Sequence, residues 1–297
     1  MAKKKSKIKK NFKPYKWIIV VLTMILFLIF LNSIEKISPI KIKPNLIAKP
    51  QAIQSAQPTP SPTPTPKPLE ILTSQVSVGI PVLTYHYIGN NPDPKDKARD
   101  ALEVSPDKFD EQMQYLASSR FTPVTLDTMY AILNKQIAAP SKPVVLTFDD
   151  GYIDFYTNAF PILKRFNFHG VSFIPTGLIG KGYYMSWDQI KEIQASGLIN
   201  FEDHTVTHAN LAGLSFSDAL KQMIDSKNFL QSQTGYPVNF IAYPYGISNE
   251  FVHQAAKQAG FLGGLGTYFG KVNFGTFNMP RIKVSGSWSI AEFAARL

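Results

Sequence analysis

The chain predicts an α/β fold, a barrel or a doubly wound sheet, over its last 220 or so residues. Two observations carry that expectation. Short apolar runs rich in β-branched residues alternate with amphipathic helical segments. One run, Pro143 to Gly151 (PVVLTFDDG), ends abruptly in two carboxylates and a glycine, as a buried strand does when it delivers side chains to a site. The 297 residues also include no cysteine, which excludes disulfide staples and thiolate metal sites. Any bound metal must then be held by His, Asp or Glu, a donor set that suits zinc or another divalent first-row ion.

The chain divides into four parts. Residues 1–16 contain eight lysines and no acid, so subtracting these from the net +10 leaves only +2 for everything after them. The basic character is a cytoplasmic tail, not a nucleic-acid-binding face. Residues 17–34 (WIIVVLTMILFLIFLNSI) are almost wholly apolar and near the lower length limit for a membrane-spanning helix. The lysines before them favour a cytoplasmic N-terminus, with the remainder sent across. The competing reading is a cleaved signal peptide. No small-x-small cleavage pattern follows closely, so an uncleaved anchor is expected. Residues 35–70 form a linker with proline at every second position from Pro58 to Pro68, which favours extended polyproline conformation.

The folded part is expected at 71–297. Strands are predicted at 79–84, 122–124, 144–148, 170–174, 198–201, 239–242, 261–264 and 281–284. Helices are predicted at 105–118, 126–134, 155–166, 187–195, 218–231, 251–259 and 290–296. The first opens with Ser105-Pro106-Asp107, a cap followed by an N1 proline, and carries Phe109, Met113 and Leu116 on one face.

Four short stretches carry candidate chemistry. Asp149 and Asp150 close the strand described above; a polar strand cap explains them equally well if nothing joins them. His204 and His208 are four apart, a spacing at which a helical turn or similar bend puts both rings on one side. Two imidazoles and one carboxylate make a three-ligand metal site, leaving the second carboxylate free to take a proton from water. The turn Ala242-Tyr243-Pro244-Tyr245-Gly246 is able to present a backbone N–H to an oxyanion, and both tyrosines are candidates to line a sugar groove. Read alone, it is simply a turn. His86 just past the first strand is either a general acid or a packed, capping histidine. His169 and His253 read as structural. Asp203, directly before the pair, either orients a ligand imidazole or faces solvent; solvent is the expectation.

TFDDG, HTVTH and AYPYG, in that order, resemble the motifs of the polysaccharide deacetylases, carbohydrate esterase family four. VLTYHYI, SPDKFDEQMQYL and MPRIKV further resemble the branch containing poly-N-acetylglucosamine deacetylases, whose motifs are circularly permuted. The resemblance covers roughly 79–297. It implies a distorted (β/α) barrel of about seven strands with its site at the strand C-termini. It further implies Asp149 as general base, Asp150, His204 and His208 as metal ligands, Tyr245 as an oxyanion donor through its backbone N–H, and His86 as general acid. The expected ion is zinc, with cobalt or nickel as alternatives. One departure stands out. The wider family often pairs the base with an arginine where this chain has Ala242, and Arg281 is the candidate substitute.

The expected activity is hydrolysis of the N-acetyl group of N-acetylglucosamine units in peptidoglycan, poly-N-acetylglucosamine or a chitin-like glycan. An O-acetyl polysaccharide esterase and an inactive, membrane-anchored glycan-binding module are the alternatives.

Overall fold

The computed structural model describes residues 79–93, 95–272 and 277–297. The expected tail, anchor and linker lie outside the described residues.

Seven strands run side by side in an α/β half-barrel. In chain order the strands are β1 (Ile80–Tyr85), β2 (Tyr87–Ile88), β3 (Glu103–Val104), β4 (Thr122–Pro123), β5 (Pro143–Phe148), β6 (Gly170–Ile174), β7 (Ile199–Asp203), β8 (Phe240–Ala242), β9 (Gly263–Leu265), β10 (Lys271–Val272) and β11 (Ile282–Lys283). The main path is β10-β1-β5-β6-β7-β8-β9, with β4 added beside β5 and β11 beside β1. All pairings from β1 through β9 are parallel, and β10 alone on this path runs antiparallel, against β1. The segment 279–283 touches both sides of the half-barrel. Met279 exchanges backbone hydrogen bonds with Gly264 and Gly266 near β9, and Ile282 and Lys283 then pair with Leu83 and Thr84 of β1.

Parallel strands covered on both faces need apolar side chains on both. β1, β5 and β6 accordingly alternate between two cores. Val82, Val145, Val171 and Phe173 pack with Phe240, Ala242, Leu265 and Met279 in a smaller inner cluster. Leu83, Tyr85, Leu146, Phe148 and Ile174 face the larger cluster shared with the helices. The period of two then continues past the apolar residues. On β5 the inner series Val145, Thr147 arrives at Asp149, which is 4% exposed.

The helices start where side-chain caps start them. Ser105, Thr125, Ser186, Ser215 and Ser289 each accept a backbone N–H in the first turn of α2 (Pro106–Ser118), α3 (Leu126–Leu133), α5 (Trp187–Ala195), α6 (Phe216–Thr234) and α8 (Ile290–Ala294), after the short α1 (Lys97–Asp100). α7 is Glu250–Gln258. The helix predicted at 155–166 opens as a π-turn, Phe155–Ala159, before α4 (Phe160–Phe166). Pro161 explains the widening: it has no N–H to close the preceding α turn. α6 outruns its predicted bounds at both ends, from the Ser215 cap to Gly235, which stops it at φ 74°. The two-residue strands β2, β3 and β10 were not predicted, because pairs that short carry no periodic signal.

Candidate active site

Asp149 and Asp150 are adjacent yet serve different partners, because the backbone reverses between them. Asp150 has φ 73° and Gly151 φ 71°, two successive left-handed residues. A β-carbon on Gly151 would come within 2.9 Å of Ile174 Cγ2, so glycine is required there on steric as well as conformational grounds.

Asp149 points inward and meets Arg281. The guanidinium makes a two-pronged pair, Nη1 to Oδ1 at 2.8 Å and Nη2 to Oδ2 at 2.7 Å. Its Nε donates to the Gly266 carbonyl at 2.8 Å, and Nη1 also reaches Thr147 Oγ1 at 3.3 Å. Arg281 is 1% exposed, so this is a fully desolvated, fork-to-fork pair. Burial pushes the Asp149 carboxyl up, but the charge and hydrogen bonds of Arg281 outweigh it and hold the group below the usual carboxylate range. The partner missing at Ala242 is therefore supplied from the bridging segment 279–283.

Asp150 meets the two histidines. Its Oδ1 lies 3.3 Å from His204 Nε2 and 3.1 Å from His208 Nε2. One ligand atom from each of the three residues falls within 4.8 Å of the others. His204 Nδ1 sits 2.7 Å from the Ala242 carbonyl. A carbonyl only accepts, so Nδ1 carries the proton, and in the neutral ring the Nε2 lone pair faces Asp150. Two acceptors facing each other at that distance call for a cation between them. The donor set, two imidazoles and a carboxylate, fits a divalent first-row ion. Burial opposes a charge on His204, but Asp150 and Asp149 outweigh it and raise its pKa.

The histidine pair does not sit on a helical turn. It flanks a loop after β7 in which Thr205 has φ 69° and His208 φ 56°. A β-branched residue at positive φ is strained. Asp203 holds it there: its Oδ2 accepts the Thr205 N–H at 3.1 Å. The expectation of a solvent-facing Asp203 is corrected, since the residue is 0% exposed. It does not orient an imidazole either; that partner is Ala242. Burial pushes the Asp203 carboxyl up to about 7.

Tyr245, at φ 61°, is the fourth left-handed non-glycine residue of these loops, after Asp150, Thr205 and His208. Its ring packs edge-on against His208, centroids 4.6 Å apart, and is 63% exposed. Tyr243 does not line a groove. It is buried, and its hydroxyl donates to the Phe277 carbonyl at 2.7 Å. His86 follows β1 and brings Nε2 to 3.9 Å from Asp149 Oδ2. Burial lowers its pKa despite the nearby aspartates, so the resting ring is neutral. His253 is apart from this group and contacts Ser248 Oγ at 2.9 Å.

The Tyr245 turn depends on Gly246. That residue has φ 68°, and a β-carbon there would fall within 2.0 Å of Thr267 Oγ1. Gly246→Ala is expected to cost about 1–3 kcal/mol of stability through strain and overpacking, read by urea denaturation. A variant of wild-type stability would show that the turn tolerates another conformation.

Sequence reading missed Thr147, the Ala242 carbonyl and Thr205 as supports of the site. None has a motif of its own; each acts through a position that only chain folding supplies.

A carboxylate and two imidazoles converging beside a guanidinium-anchored carboxylate, at the C-terminal ends of parallel strands, define an α/β half-barrel with a hydrolase-type site. The polysaccharide deacetylase family model matches residues 136–263. The poly-β-1,6-N-acetyl-D-glucosamine N-deacetylase of Staphylococcus aureus (strain MRSA252) is 30% identical over 197 residues, covering 61% of this chain and 68% of the relative. Among solved structures, Streptococcus pyogenes deacetylase PplD in complex with acetate superposes with a TM-score of 0.69 at 32% identity, over 74% of this chain and 98% of that one. IcaB from Ammonifex degensii gives 0.64 at 28%, over 73% and 96%. The chain belongs to the polysaccharide deacetylase family.

Proposed function

We propose that this chain hydrolyses the N-acetyl group of N-acetylglucosamine units in a cell-wall or extracellular polysaccharide. The observation that carries the proposal is the split of Asp149 and Asp150 between an arginine and a histidine pair within one turn of chain. Asp150, His204 and His208 would hold the metal, zinc first and cobalt or nickel as alternatives. That ion supplies Lewis acidity, polarising a carbonyl and lowering the pKa of water toward ~7.

The protein's own residues do the rest. Arg281 keeps Asp149 anionic and fixed in direction, so the carboxylate accepts the proton that water loses as it attacks the acetyl carbon. The Tyr245 backbone N–H donates to the oxyanion that forms. Breaking the C–N bond leaves an amine that needs a proton. His86, neutral at rest and 3.9 Å from Asp149, is placed to receive a proton from the carboxylate side and pass it to nitrogen. Acetamide and water become amine and acetic acid, which leave as ammonium and acetate, with no other reactant.

Residues 1–34 would anchor the chain in the cell membrane with the N-terminus cytoplasmic, and 35–70 would hold the catalytic domain 71–297 off the outer surface. Separating membranes from soluble material, with and without residues 1–34, tests this; a full chain found wholly in the soluble fraction counts against it.

The activity is tested by acetate release from peptidoglycan, poly-N-acetylglucosamine, chitin fragments and acetylated xylan. Release from an N-acetylated glycan, abolished by chelator and restored by zinc, is expected. Release from xylan alone would favour the O-acetyl esterase, and glycan retention without acetate in metal-replete protein would favour a binding module. His204→Ala and His208→Ala should each lose tightly held zinc by elemental analysis. A wild-type zinc content in both would remove the ligand assignment.

A further inference from the structure

Four side chains form a column beside the site. Arg99 lies over the Tyr87 ring at 4.3 Å, Tyr87 stacks on Tyr152 at 4.0 Å, and Tyr152 stacks on Tyr184 at 5.4 Å. Interplanar angles of 16° and 24° keep the three rings nearly parallel. Tyr152 thus has Tyr87 and Tyr184 as ring partners, and Tyr184, partly buried against the larger core, ends the column.

Both ends of this column are fixed. Arg99 Nε donates to Glu103 Oε2 at 2.9 Å, and Glu103 is itself on β3, paired with the strand that carries Tyr87. At the other end, the loop bearing Tyr184 is bonded directly to the aspartate turn. Ile153 N–H donates to the Tyr183 carbonyl at 2.7 Å and Met185 N–H to the Gly151 carbonyl at 3.0 Å, so Tyr152 and Tyr184 sit opposite each other as a bridge pair. Tyr184 therefore keeps its register to Asp150 through two backbone bonds.

A three-ring stack braced by an ion pair stands at a partly buried edge of the fold. Pyranose rings of the glucosamine type present a face of axial C–H groups, and such faces pack on aromatic rings as other apolar groups do. We infer that Tyr184 is a stacking platform for the sugar unit next to the one that reacts, with the column behind it fixing the platform's angle. This rests on the deacetylase reading given above and specifies how that site would hold a polymer: Tyr184 recognises a neighbouring sugar, not the acetyl group.

Tyr184→Ala, Tyr184→Leu and Tyr184→Phe test it, with β-1,6-linked N-acetylglucosamine hexamer and the N-acetylglucosamine monomer as substrates. For Ala and Leu, kcat/KM on the hexamer should fall about fivefold to tenfold, the size of one aromatic contact. The loss should be in KM, with a smaller loss on the monomer, which has no neighbouring sugar, than on the hexamer. Leu keeps the bulk and Phe keeps the ring, so Leu should fail with Ala while Phe stays within about twofold of wild type. Equal losses on both lengths, a loss confined to kcat, or Phe failing like Ala would overturn the platform. If wild-type protein releases no acetate from any glycan, the deacetylase reading has failed. The platform is then judged separately, by calorimetric binding of the hexamer to wild type and to Tyr184→Ala; equal affinity rejects it.

Discussion

Asp149→Asn abolishes acetate release and leaves the metal content unchanged. Asparagine has almost the same shape as aspartate, but its amide cannot take a proton from water. Loss of a positioned general base is worth about 10²–10⁴ in rate. Asp150, His204 and His208 are untouched by the change, and the turn that separates Asp150 from Asp149 is set by backbone conformation and Gly151 rather than by the Asp149 carboxylate. Zinc per chain by elemental analysis and acetate release by coupled assay are read on the same preparation, with circular dichroism to confirm folding. Acetate release at the wild-type rate would remove Asp149 from the base role, whatever the metal does.

Arg281→Met costs about 3–5 kcal/mol of stability, because it leaves the Asp149 carboxylate buried without its partner. Methionine keeps much of the volume, so packing loss is minor beside the uncompensated charge. Arg281→Lys should recover only part, since an ammonium cannot make both parallel bonds nor reach the Gly266 carbonyl in the same plane. The pH dependence has a definite sign. Asp149 has a lowered pKa in the folded protein. Its contribution to stability is present above the unfolded carboxylate pKa of about 3.9 and is lost as pH falls through the lower, folded value. In Arg281→Met that support is gone, so the stability gap between wild type and variant should be widest near neutral pH and should narrow in acid. Urea denaturation across that range is the measurement. A constant gap at every pH would assign the cost to packing and not to the ion pair.

Much of the fold was legible because buried parallel strands must be apolar on both faces. PVVLTF and GVSFI are continuous apolar runs for that reason, and all eight predicted strands exist. The Ser105 cap likewise marked a helix start. The histidine spacing was read as proximity through a helical turn or similar bend, and the structure takes the bend. Positive φ at Thr205 leaves no trace in residue type, since threonine ordinarily avoids it. Asp203 was expected in solvent; its burial depends on β7 running under α6.

The sequence by itself determined the alternation of elements, the absence of thiol chemistry and the identity of every side chain proposed to carry the reaction. The first two follow from composition and from periods of two and 3.6, which are local properties of a chain; the side chains were named through the resemblance of TFDDG, HTVTH, AYPYG and their companions to the polysaccharide deacetylases. Only the tertiary structure decided which carboxylate meets which partner. Asp149 and Arg281 are separated by 132 positions and joined at 2.7 Å. Asp150 is turned toward the histidines by a left-handed backbone, and His204 is aimed by the carbonyl of Ala242 on the neighbouring strand. A charge pair of that reach is set by strand order and barrel curvature, which bring remote residues into one desolvated volume where each must find its complement.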